Sequence, residues 1–100
     1  MSKIEEIESR AEEIILAARK QAEKIIAEAK LKAREIRNKP VNKEEFEREA
    51  EKIVKNAEEE AKKILEEAER KAEELRRKGR EKVSEVAKKY ASVVVGVKVE

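Results

Sequence analysis

The sequence predicts an all-α protein: a long, interrupted helix that forms a right-handed (hendecad) coiled coil, ending in a valine-rich segment where a short β-strand competes with helix. Three observations lead there. Half of the 100 residues are charged, 26 basic against 24 acidic, and the aromatics are only Phe46 and Tyr90, which leaves too little bulky apolar matter for a globular core. The apolar residues lie in lines at helical spacing, which suits long helices and coiled coils and argues against the disordered tail that such charge also describes. The lines recur every eleven residues, once on each side of a single proline.

The first helix covers residues 3–38. Ala11, Ala18, Ala22, Ala29 and Ala33 step seven, four, seven, four, while Ile4, Ile15 and Ile26, and likewise Ile14, Ile25 and Ile36, stand eleven apart. Eleven residues close three turns at about 3.67 per turn, slightly looser than the usual 3.6, so the stripe drifts toward a right-handed supercoil. Leucine zippers, on a seven-residue repeat, coil the other way.

A break follows at residues 39–41. Pro40 lacks an amide hydrogen and disfavours helix at the residue before it. Asn42 reads as an N-cap with Glu45 closing a capping box, and Val41 and Phe46 stand where a hydrophobic staple would place them.

The second helix covers residues 42–92. Ala50, Ala57, Ala61, Ala68 and Ala72 repeat the seven–four steps, with Ile53, Ile64 and Leu75 eleven apart and Val54 and Leu65 beside them. The two copies are offset by 39 residues, not a multiple of eleven, so the stripe cannot pass through the join in phase. Such a connection suits either an antiparallel hairpin or an extended rod. The rod is the expectation, because a hairpin leaves the longer helix overhanging.

Past Leu75 the beat persists through Gly79, Val83, Val86, Val94 and Val97, so the helix is expected to run through Gly79. In the tail, 93–100, the dense β-branched residues suit a strand added to a partner's sheet edge; a frayed helical end is the rival.

The seam expected to meet a partner helix therefore comprises Ile4, Ala11, Ile15, Ala18, Ala22, Ile25, Ile26, Ala29, Ala33 and Ile36, then Ala50, Ile53, Ala57, Ala61, Ile64, Leu65, Ala68, Ala72, Leu75, Val83, Val86, Tyr90, Val94 and Val97. Alanine there lets two axes approach near the short end of the usual range, about 8–10 Å. Glutamates four residues ahead of bases, as in Glu58–Lys62, Glu59–Lys63, Glu66–Arg70 and Glu67–Lys71, are expected to lace the outer face.

The chain contains no His, Cys, Asp, Thr or Trp, which removes the usual metal ligands and nucleophile systems. Its glutamates lie among bases on exposed faces, where nothing raises a carboxyl pKa for acid–base work. No catalytic, cofactor or metal residue is expected, and no cofactor. The densest basic run, Arg76-Arg77-Lys78-Gly79-Arg80, is flanked by Glu73, Glu74 and Glu81 and lacks interleaved aromatics, so a solvated face is expected rather than a nucleic-acid interface. No apolar run reaches the roughly 20 residues that span a bilayer, and the N-terminus does not read as a signal peptide.

The stretches AARKQAEKIIAEAKLKAREI and AEEEAKKILEEAERKAEELRRKG resemble the small helical subunit, called H or G, of the peripheral stalk of archaeal-type and vacuolar-type rotary ATPases, over roughly Ile4 to Tyr90. That resemblance implies a non-catalytic stator component that pairs with the larger peripheral-stalk subunit, called E, in a right-handed coiled coil. Through this larger partner it would brace the catalytic head and the membrane-embedded stator part against rotor torque. It further implies a cytoplasmic place at the inner face of the membrane and docking of the valine-rich end on the globular end of the larger partner. A self-associating coiled coil or helical-hairpin scaffold is the alternative.

Overall fold

In the computed structural model the backbone is described for residues 2–99 and the side chains for residues 2–92. Helix α1 spans Lys3–Arg37. Ser2 caps it in an extended conformation, its hydroxyl accepting from the Glu5 N–H at 3.1 Å. Glu5 and Glu6 in the first turn, and Arg34 and Arg37 in the last, complement the helix dipole. At its end the Asn38 N–H donates to the Arg34 carbonyl at 3.0 Å and the Lys39 N–H to the Ile36 carbonyl at 3.2 Å.

Helix α2 spans Lys43–Val99. Asn42 precedes it with φ 56°, in the left-handed region that asparagine tolerates better than most side chains. Its carbonyl accepts from the Phe46 N–H at 3.0 Å, the first bond of the new helix. The expected capping box does not form: no side-chain bond joins Asn42 and Glu45 among the described residues. Nor does the staple close, since Val41 is 63% exposed and the Phe46 ring instead lies 5.5 Å from the Lys39 ammonium.

The extended rod is overturned, because the chain folds back on itself. At the closed end Arg37 meets Glu47 at 2.9 Å, and at the open end Arg76 meets Glu8 at 2.8 Å. Such contacts across the sequence make α1 and α2 antiparallel. The molecule measures 89 × 21 × 6 Å, and α2 alone at 1.5 Å per residue is about 86 Å long, so one helix sets the length.

The 39-residue offset that spoke against a continuous stripe has no bearing on an antiparallel pair. Such a pair needs only that both helices share the eleven-residue period and meet at one point. Ile7 lies against Gly79. Stepping eleven forward on α1 and eleven back on α2 brings Ala18 opposite Ala68, and a further eleven brings Ala29 opposite Ala57. Ala11 with Ala72, Ala22 with Ala61 and Ala33 with Ala50 form the interleaved set. Alanine meets alanine from Ala11 to Ala33.

The C-terminal strand is also overturned. The backbone stays helical through Val99, and there is no strand among the described residues. A lone strand has no edge to pair with, whereas an existing helix gains one hydrogen bond for each residue added.

Candidate functional site: the alanine seam

Among the described residues the buried apolar side chains are alanines, five on each helix: Ala11, Ala18, Ala22, Ala29 and Ala33 against Ala50, Ala57, Ala61, Ala68 and Ala72, each at most 7% exposed. Removing a methyl-sized group from water contributes about 0.8 kcal/mol, so the seam gains stability by length rather than by bulk. Half-buried residues flank it on both sides: Ile14, Ile15, Ile25, Ile26 and Ile36 on α1, and Ile53, Val54, Ile64, Leu65 and Leu75 on α2. The alanines set the spacing of the axes, and these larger side chains close over the gap.

The structure thus brings together the residues expected at an interface, but against the chain's own second helix. Ile4, Val83 and Val86 line an open groove with Ile7 and Gly79 where α1 begins, at 57%, 43% and 55% exposure, and Tyr90 is 73% exposed. The side chains of Val94 and Val97 lie outside the described residues. Ile7 and Gly79 belong to the seam and were absent from the expected interface. Ile7 stands eleven before Ala18, yet its bulk masked its place on the small-residue line.

Gly79 is buried, and a Cβ there would fall 2.8 Å from Ile7 Cδ1. A large side chain over a glycine replaces the alanine–alanine pairing of the other layers. Ile7 Cγ2, on the branched Cβ, stands 3.3 Å from the same point, so moving Cδ1 alone does not clear it. Gly79→Ala should therefore lower stability by about 1 kcal/mol, overpacking outweighing the gain in helix propensity, as read by thermal unfolding. A gain of that size would show that Ile7 swings aside.

Among the described residues, two ion pairs cross between the helices. Glu47 accepts from Arg37 Nε at 2.9 and 3.2 Å. Glu8 accepts from Arg76 Nε at 3.0 Å and from Nη2 at 2.8 Å, a two-pronged fit with Arg76 only 28% exposed. The hydrogen bonds from Arg76 hold the Glu8 carboxyl below its ordinary pKa, and those to Glu8 raise the arginine's. Folded Glu8 thus binds its proton less tightly than unfolded Glu8. The pair contributes fully above the ordinary carboxylate range, and its contribution is lost as pH falls through the lowered value. The stability gap between the parent chain and Glu8→Gln should close below about pH 4 in denaturant titrations. Added salt should narrow the same gap at neutral pH, because an exposed pair is screened.

The basic run at 76–80 is neutralised in place. Arg76 pairs with Glu8, Arg77 with Glu81, Lys78 with Glu74 and Arg80 with Glu73. Of the four laced pairs expected on the outer face, Glu67–Lys71 closes, at 3.4 Å; Arg70 turns forward to Glu74 instead of back to Glu66. No group of three acidic residues able to hold a metal ion occurs among the described residues. No helix among them is long and apolar enough to cross a membrane.

Compared with protein-family models, with curated proteins and with solved structures, the chain matches none.

Proposed function

We propose that this chain is a non-catalytic bracing component, the small helical member of the peripheral stalk of an archaeal-type or vacuolar-type rotary ATPase. In this reading it pairs with the larger stalk protein in a right-handed hendecad coiled coil and so steadies the catalytic head against the membrane-embedded stator part. The observation that carries the proposal is the seam of ten buried alanines, five from each helix among the described residues. A long contact between narrowly spaced axes resists bending, and the sequence resemblance names the assembly in which such a strut works. The hairpin is then the chain's unpartnered form. A helix of the larger stalk protein carrying the same repeat would compete with α1 for the alanines of α2, and it would also cover the stretch of α2 beyond α1. The complex would lie at the cytoplasmic face of the membrane, held there by its partners, with no insertion of its own and no contact with nucleic acid.

A second reading rests on one specific feature: the seam is already closed within a single chain. A self-sufficient helical-hairpin scaffold needs no partner at those alanines.

Co-expression with the larger stalk protein, followed by pull-down and distance measurement between spin labels at Glu13 and Lys71, separates the two. The stalk reading expects a stable complex in which the labels move apart and which Ala61→Leu weakens far more than Glu59→Lys. Failure to form that complex, or a complex with the labels still close, removes the stalk reading in favour of the scaffold.

A further inference from the structure

The stretch from Val41 to Phe46 carries two helix-start devices that the hairpin leaves unused. A capping box needs the Asn42 side chain to reach the Glu45 N–H while the Glu45 carboxylate returns to the Asn42 N–H, and a staple needs Val41 to lie on Phe46. The capping residue must then be extended, as N-caps usually are. Ser2 does this on the same chain: at φ −73° and ψ 158° its hydroxyl caps α1. Asn42 stands instead at φ 56°, where the chain reverses. Val41 is left 63% exposed, the Phe46 ring turns to the Lys39 ammonium, and Glu45 is exposed. Turn and helix start make opposite demands on one residue, and the turn prevails.

An extended Asn42 would gain the box and the staple but swing α1 away from α2, uncovering the ten alanines. A second copy opened in the same way removes that cost. It brings the same α1, with Ile7 for the notch at Gly79, Glu8 for Arg76 and Arg37 for Glu47. If two such chains exchange their first helices, every contact between α1 and α2 recurs twice, and each connection sheds its left-handed residue. Short connections under strain invite this exchange. Tethering favours closure within one chain at low concentration, at an effective concentration on the order of millimolar for a short linker. The exchange therefore grows as the chain is concentrated.

From the unused helix start and the strained residue beside it we propose that residues 38–42 are a two-position hinge through which two copies exchange α1. The hairpin is the closed monomer. In the dimer, α1 of each copy lies antiparallel on α2 of the other, and Asn42 caps α2. The exchange needs no other protein, so it stands whether or not the chain serves in a stalk.

The full chain is annealed at concentrations from micromolar to millimolar and examined by sedimentation equilibrium, with Asn42→Gly and Asn42→Ser beside it. Glycine takes the left-handed turn freely and brings no capping side chain, whereas serine caps well and tolerates that turn poorly. The expected result is a dimer that Asn42→Ser strengthens and Asn42→Gly weakens, each by about tenfold. The double variant Ile7→Cys with Gly79→Cys shows which copy supplies α1, the parent chain having no cysteine. A Cβ at position 79 falls 3.8 Å from Ile7 Cγ1, within reach of a disulfide. Oxidised after annealing, this variant should run on a denaturing gel as single chains from micromolar samples and increasingly as linked dimers from millimolar ones. Should the cysteine pair lose helix content by circular dichroism, the opposite shifts of the two Asn42 variants decide alone. A monomer across the whole range overturns the proposal. So does a dimer linked only within chains, as closed hairpins lying side by side would give, and so do equal dimer affinities for Asn42→Gly and Asn42→Ser.

Discussion

Replacing Ala61 by Leu should cost about 1–3 kcal/mol of unfolding free energy, the usual cost of overpacking a tight contact. Ala61 is 2% exposed and lies opposite Ala22, itself 3% exposed, in the middle of the seam. Three extra carbons have no cavity to enter there, so the axes must separate and the neighbouring alanine layers lose contact together. The control is Glu59→Lys on the outer face, expected to stay within about 0.5 kcal/mol. Thermal or denaturant unfolding followed by circular dichroism reads both. Ala22→Gly on the facing helix should recover part of the loss, in the manner of Ile7 over Gly79, with a double-mutant coupling of at least about 0.5 kcal/mol. Equal destabilisation by Ala61→Leu and Glu59→Lys would show that the alanine face is not the contact.

The second large effect is expected at the reversal. Asn42 holds φ 56°, and a β-branched side chain there clashes with its own backbone. Asn42→Val should cost about 1–2 kcal/mol, the steric cost of the left-handed region, whereas Asn42→Gly should match or slightly exceed the parent. Helix content at low temperature should change little, because α1 and α2 each continue outside the turn. Only the closure is weakened, so label distances between the helices should lengthen before helicity falls. If valine there is as stable as asparagine, the turn does not depend on a left-handed residue.

Much of the helical architecture was legible in the residues. The steps of seven and four identify which alanines are buried, and Pro40 with its neighbours marks the interruption between Arg37 and Lys43. Direction was not legible. A hendecad stripe looks the same to a parallel partner, an antiparallel partner or the chain itself. The choice was made by Asn42 adopting a positive φ and by ion pairs between residues as distant as Glu8 and Arg76. The tail misled for a related reason, since valine density favours a strand only where a sheet edge exists to receive it. Ile7 escaped notice because its role lies in a complementary glycine 72 positions away.

Gly79 has one further consequence. A run of equal alanine layers resembles a ruler whose marks are all alike, and two such rulers can slide by a whole division without complaint. Ile7 and Gly79 are a key and its notch. Slid by one division, Ile7 would strike the methyl of Ala68 instead of a vacancy. Any helix that takes the place of α1 meets the same notch, and a single protruding side chain on it is enough to fix its position along α2.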